Sequence, residues 1–269
     1  MSLHPLLWDT HAHLQDSEFA DDFDEVLGRA LVSGVQRIVL IGETIENSKL
    51  ALGRAQAHEA LLATVGIHPH HAQEFCEQSL NALRDLVRAS KKVVGIGEIG
   101  LDYHYDFAPR DQQIRAFIAQ FQLATELGLP VVIHCREAYS EMLEMLPADE
   151  TPASAPPRGV MHCFFGTQAQ AEEFIRRGFL LGVGGAVTFK KTVELQEIVR
   201  TVPLESLVLE TDAPYMAPVP YRGKRNEPAY LRLVAERIAQ LRAIPVEEVA
   251  RTTTENALRL FRRVDASRL

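Results

Sequence analysis

At 269 residues, with 46% apolar and 24% charged side chains, the chain has the composition of a soluble globular protein and the length of one large domain. Its formal charge of −8 excludes broad electrostatic binding to nucleic acid while leaving room for a nuclease that grips a short end locally. No charged leader precedes an apolar run and no apolar stretch is long enough to span a bilayer, so the cytoplasm is the expected location and no membrane partner is expected.

Leu6-Leu7-Trp8 leads into Asp9-Thr10-His11-Ala12-His13 as a first strand. Residues 21–33 carry apolar positions at Phe23, Val26, Leu27, Ala30 and Leu31, a helical period that stops at Gly34. A β-branched run at 37–42 and a helix over 46–60 follow, then an apolar run, 61–67, that stops at His68-Pro69-His70. A helix at 80–89 precedes a strand over 92–98 that ends on Glu98, with 101–108 expected as loop. Pro109 opens a long helix to Leu127, and the strand 130–134 ends on His134. Helix 138–146, strand 159–162 ending on His162, helix 169–177, strand 179–183, helix 193–200 and strand 207–212 ending on Asp212 complete the alternation.

Strands that read as continuous Val/Ile/Leu runs and alternate about eight times with helices predict an α/β fold of the (β/α)8 TIM-barrel type, with an open doubly wound sheet as runner-up. The polar residues favour the barrel: His11 and His13, His68, Glu98, His134, His162 and Asp212 each end a different strand, where barrel enzymes keep their chemistry. Gly95-Ile96-Gly97-Glu98-Ile99-Gly100 spells G-x-G-x-x-G, but no helix opens on it, so a dinucleotide site is rejected. The Pro-rich stretch near 147–158 joins one βα unit to the next without a change of period, which predicts an exposed loop inside a single domain spanning 1–269.

Alternation puts His11 and His13 on one face of the first strand, and imidazole is a common metal ligand. In a barrel, His11, His13, Glu98 and Asp212 can hold one divalent ion and Glu98, His134 and His162 a second, with Glu98 bridging. Such a donor mix suits Zn²⁺, Mn²⁺, Ni²⁺ or Fe²⁺ better than Ca²⁺, and two divalent ions per chain are the expected cofactor, with Mg²⁺ also a candidate. Ions roughly 3.5–4 Å apart share a hydroxide at neutral pH, so hydrolysis is the expected reaction class. Glu210 faces inward with Asp212 and reads as a partner behind a ligand or as a ligand for a third ion. Cys76, Cys135 and Cys163 form no C-x-x-C pair; Cys135 and Cys163, each beside an inward histidine, are expected to point outward as reduced structural thiols. His68 reads as a substrate or metal contact, His70 is undecided, and His4, His58, His71 and His104 read as solvated. Arg136, two residues past His134, is expected to face the site and hold an anion; Arg222, Lys224 and Arg225 share that reading with a plain surface turn.

Seven stretches also resemble the TatD-type metal-dependent deoxyribonucleases, a branch of the amidohydrolase-like barrels. They are Asp9 to Leu14, Gly66 to His70, Gly97 to Tyr103, Ile133 to Arg136, His162 to Phe164, Glu210 to Tyr215 and Tyr221 to Pro228, in order along nearly the whole chain. The resemblance implies a TIM barrel with a two-metal site, sometimes with a third ion, that hydrolyses DNA phosphodiesters as a 3′ to 5′ exonuclease or, in some members, at abasic sites. It implies His11, His13, Glu98, His134, His162 and Asp212 as metal ligands, with Asp212 also orienting or deprotonating the attacking water. Glu98 stands where many relatives in the wider superfamily use a modified lysine. Ala12 replaces a common Cys, and Phe165 stands where a small hydroxyl residue is frequent.

The expected activity is therefore metal-dependent cleavage of DNA by a metal-bound hydroxide. Asp212, Glu98 and His68 are the catalytic residues, His68, Arg136 and Arg222 meet the substrate, and DNA ends are the partner. No obligate protein partner is evident. Hydrolysis of a small amide, ester or lactone on the same metals is the alternative, and a non-catalytic metal-binding protein a third reading, which ligand sets incomplete enough to admit water disfavour.

Overall fold

A computed structural model describes residues 6–105, 107–152 and 154–264. Eight parallel strands, β1 (Leu7–Ala12), β2 (Val35–Leu40), β3 (Leu61–Val65), β4 (Val93–Asp102), β5 (Val131–Arg136), β6 (Gly159–Met161), β7 (Phe179–Val183) and β8 (Leu207–Leu209), pair in sequence order. Seven helices connect them: α1 (Phe23–Val32), α2 (Ile45–Ala57), α3 (Glu77–Ala89), α4 (Arg110–Leu127), α5 (Tyr139–Met145), α6 (Gln168–Arg176) and α7 (Val193–Thr201). Two more, α8 (Leu231–Arg242) and α9 (Val246–Leu260), lie beyond the alternation read from sequence. The fold is a (β/α)8 barrel, and among the described residues no helix is long and apolar enough to cross a membrane.

The strands are apolar on both faces because each face is covered. Trp8, Val39, Leu62, Val94, Val132, Val160, Leu180 and Val208, one from each strand, fill the barrel interior, with Ala257 and Leu260 of α9 and Phe261 just after it as its floor. Their strand neighbours, such as Leu7, Ile38, Leu40, Ile133, Met161 and Leu209, pack outward against the helices. The interior is thus closed below, leaving the C-terminal rim for polar groups.

Closure between β8 and β1 is made by side chains as well as backbone. Asp212 N donates to His11 O at 2.8 Å and His13 N to Ala213 O at 2.8 Å. Thr10 Oγ1 donates to Leu209 O at 2.9 Å. Buried Asp9 accepts from Thr211 N at 2.9 Å and from Thr211 Oγ1 at 2.5 Å. Asp9 therefore fixes the seam that brings Asp212 beside His11 and His13. Between α5 and β6, the described residues of the stretch 147–158 show no helix or strand, and Thr151 N donates to Arg176 O at 3.0 Å.

Candidate metal centre

Strict alternation from inward Trp8 would turn His11 and His13 away from the barrel axis. The β1–β2 register is irregular between Asp9 and Ala12, and Ala12 packs with the outward cluster, so the parity changes there. A bulge of this kind re-aims side chains beside a site. As a result His11 Nε2 and His13 Nε2 stand 3.2 Å apart, at 3.7 and 3.5 Å from Asp212 Oδ1. His162 stacks on His11 at 3.5 Å between ring centroids, with Nε2 4.0 Å from the same Asp212 oxygen. Asp212 lies past the end of β8 with φ +57°, a left-handed conformation that Asp tolerates better than most residues. Buried Asn226 holds that turn, its Nδ2 donating to Thr211 O at 2.8 Å and Tyr215 O at 2.7 Å.

Glu98 divides its two oxygens. Oε2 is 3.3 Å from His11 Nε2, while Oε1 is 2.9 Å from His134 Nδ1, 3.6 Å from His68 Nε2 and 3.8 Å from His162 Nε2. The six residues expected as ligands thus converge with Glu98 at the centre. His68 joins them: its Nδ1 accepts from His70 N at 3.1 Å, so the neutral ring carries its proton on Nε2, toward Glu98.

Behind three of these histidines stands a carboxylate. Glu210 Oε1 is 3.1 Å from His162 Nδ1 and also accepts from Cys163 N at 2.7 Å, which makes Glu210 a support for His162. Glu43 Oε2 is 3.6 Å from His13 Nδ1, and Asp102 Oδ2 is 2.8 Å from His134 Nε2. A carboxylate on the far nitrogen fixes an imidazole's orientation and tautomer and leaves the near nitrogen as the donor.

Neither Glu43 nor Asp102 was singled out from sequence. Asp102 escaped because the fourth strand was expected to stop at Glu98, whereas β4 runs on to Asp102, pairing Gly100 with His134. A Cβ at Gly100 would overlap the His134 carbonyl oxygen, so glycine permits the close approach. With the longer strand, the spacing from Glu98 to Asp102 would have placed both on one face. Two buried glutamines seven positions apart on α4 hold this region. Gln113 Oε1 accepts from Asp102 N at 2.8 Å, and Gln120 Oε1 accepts from Ile67 N, beside His68, at 2.7 Å.

The cluster is buried and rich in carboxylates. Burial opposes charge on His13 and His162, but Asp212, Glu43 and Glu98 outweigh it at His13, raising it to about 9, and Glu210, Glu98 and Asp212 do so at His162, raising it to about 10. Burial wins at His11, which is lowered, and at His68, lowered to about 3. Burial would raise Glu98, yet His162, His11 and His68 hold it well below the usual carboxylate range. Asp212 is likewise lowered against its burial, chiefly by His162 and His13. Such a site favours cations, either protons on the imidazoles or metal ions.

Other expectations fare unevenly. Cys135 is buried among the helix-facing residues, as alternation requires. Cys163 is not outward: β6 ends at Met161, Cys163 takes φ +44°, and the ligand atoms of His162, Cys163 and Asp212 lie within 4.8 Å of one another. Alternation fails there because the strand has already ended. Burial, with Asp212, Glu210 and Glu98 around it, pushes the thiol well above the ordinary range, so it stays protonated in the metal-free protein. His70 Nε2 meets Asp102 Oδ2 at 3.0 Å. His71 and His104 are surface partners of Glu74 and Glu137, His58 packs by Phe23, and His4 lies outside the described residues. Arg136 is exposed at the rim with its guanidinium over Tyr105 at 4.7 Å. Arg222 lies over the Phe189 ring, whereas Arg225 is engaged by Asp22 at 2.6 Å and is a structural cation of that loop.

Comparison with known proteins gives one consistent result. The family described as TatD related DNase matches residues 8–262. A Bacillus subtilis protein named "Uncharacterized metal-dependent hydrolase YabD" is 42% identical over 257 residues, 96% of this chain and 99% of that protein. An Escherichia fergusonii protein named "3'-5' ssDNA/RNA exonuclease TatD" is 36% identical, covering 95% of this chain and 98% of its own length. The crystal structure of YjjV, a TatD homologue from Escherichia coli K12, superposes with a TM-score of 0.87 at 32% identity, over 95% of this chain and 98% of that one.

Proposed function

The chain belongs to the TatD-related DNase family, and from that membership and the geometry of its rim we propose that it is a metal-dependent phosphodiesterase that trims single-stranded DNA from the 3′ end. The observation that carries this reading is the division of Glu98, with Oε2 toward His11 and Oε1 toward His134 and His162, the arrangement a carboxylate shared by two cations requires. The donor set fits such ions: the ligand atoms of His11, His13 and Asp212 lie within 4.8 Å of one another, as do those of His11, Glu98 and His162, and His134 meets Glu98 Oε1 at 2.9 Å. Zn²⁺, Mn²⁺, Mg²⁺, Ni²⁺ and Fe²⁺ are the candidate ions. When bound, two divalent ions supply a water acidic enough to be a nucleophile at neutral pH and a positive field for the charge that builds on phosphoryl oxygens.

The chain's own groups do the rest. Asp212, ionised and aimed at the histidine nitrogens, orients the attacking water and takes its proton on the carboxylate. His68, neutral at pH 7, offers its Nε2–H to a phosphoryl oxygen. Arg136 holds the phosphate from the rim, and Arg222 meets the strand farther along. Three unpaired cysteines suit the reducing cytoplasm, where we place the protein.

The test is hydrolysis of end-labelled single-stranded DNA by protein stripped of metal and then resupplied with Mg²⁺, Mn²⁺, Zn²⁺ or Ni²⁺, beside His134→Ala and Asp212→Asn. Stepwise, metal-dependent release of mononucleotides, lost in both variants, is the expected result. A protein that binds ions but leaves DNA intact under all of them would overturn the nuclease and redirect the search to esters, amides and lactones.

A further inference from the structure

Among the described residues, the exposed aromatic side chains are Tyr105, Phe107, Phe165 and Tyr215. They lie after β4, β6 and β8, on the loops of the rim that carries the metal centre. Rings left in solvent by chance would be scattered over both ends of the barrel. Their segregation to one end points to a ligand that meets them there.

Tyr105 and Phe107 form a built surface. Their rings stand 5.3 Å apart with planes 3° from parallel. Tyr105 N donates to Asp102 Oδ1 at 2.9 Å, and Gln73 Nε2 donates to Phe107 O at 2.6 Å, so the backbone on both sides is anchored. The His70 ring stands perpendicular to both, at 5.6 and 4.8 Å, while its Nε2 reaches the Asp102 oxygen that also holds His134. The pair is therefore joined to the metal centre through one shared carboxylate. Arg136 lies over Tyr105, and Phe107 is still 58% exposed, which leaves ring surface for another planar group.

We infer that the Tyr105–Phe107 pair is a stacking platform for an unpaired base of the strand whose end enters the metal centre, with Arg136 holding a phosphate beside it. This rests on the nuclease reading. A chain of net charge −8 gains little from general phosphate attraction, so stacking must carry more of its grip. A base inside a duplex has both faces covered and cannot use the platform.

The experiment measures binding of a fluorescent oligothymidylate with phosphorothioate linkages at its 3′ end to Mn²⁺-loaded protein by anisotropy. A second strand carries 5,6-dihydrothymidine in its last few positions, which keeps the pairing edge and removes the aromatic plane. The wild type is expected to bind the saturated strand about tenfold more weakly, within the range for a base on an aromatic ring. Tyr105→Ala with Phe107→Ala binds both strands equally, at the weaker level, and Tyr105→Phe with Phe107→Tyr restores the discrimination. The salt dependence is the same in all three proteins, since no ion pair is altered. If the wild type does not distinguish the strands, or the alanine variant still does, the platform is wrong and the nuclease stands. If folded, metal-loaded wild type binds neither strand, the nuclease reading falls and the platform with it.

Discussion

Asp102 Oδ2 stands 2.8 Å from His134 Nε2, while the other nitrogen of the same ring is 2.9 Å from Glu98 Oε1. The imidazole is held between two carboxylates, one behind it and one in front. Replacing Asp102 by Asn keeps the shape but removes the charge that fixes the ring's tautomer. Metal affinity is expected to fall about 10–100-fold with the fold intact. Calorimetric titration of the variant with Mn²⁺ or Zn²⁺ checks this, and unchanged affinity would remove Asp102 from the centre.

Metal uptake is expected to release protons. In the metal-free protein His13 is raised from 6.5 to about 9 and His162 from 6.5 to about 10. The folded state binds these protons more tightly than the unfolded chain, so their stabilising contribution is complete below the unfolded value and is lost as pH rises through the folded ones. An entering ion must displace the same protons. Affinity should therefore rise with pH across that window while the thermal stability of the metal-free protein declines. Calorimetry near neutral pH in two buffers of different ionisation enthalpy reads the released protons directly, and identical heats in both would contradict the assignment.

Gly182 is a position where a single methyl group should matter. A Cβ there would collide with the Glu210 carboxylate, which orients His162 at 3.1 Å. Gly182→Ala is expected to weaken metal binding, with a smaller loss of stability than a core truncation. A variant that binds ions as tightly as wild type would show that Glu210 does not orient His162.

The floor of the barrel offers the converse case. Phe261 is fully buried and closes the interior with Ala257 and Leu260. Phe261→Ala should cost about 3–5 kcal/mol of stability. Urea unfolding measures the loss, and metal affinity of the folded fraction should be unchanged because the rim lies at the opposite end.

Hydrolysis by the Asp212→Asn variant separates structure from chemistry. The side chain keeps its size at φ +57°, which Asn also tolerates, so folding should be retained while turnover is lost. Full activity would exclude Asp212 as the base.

The sequence by itself determined the barrel and the residues that converge in it. Periodicity is a local signal, and runs such as Val131 to His134 or Gly159 to His162 carry both the strand and the polar residue at its C-terminal end. Helices α8 and α9 were equally legible in principle, since Leu231, Val234, Ala235 and Ile238 repeat at helical spacing. Only the tertiary structure decided where periodicity breaks. The bulge in β1 that aims His11 and His13, the left-handed turn at Cys163 and the extension of β4 to Asp102 depend on neighbouring strands and on Gln113, all outside the segments themselves. The carboxylates behind the histidines come from other strand ends, because a barrel brings eight separate loops to one rim, and no spacing along a single strand records which of them will meet.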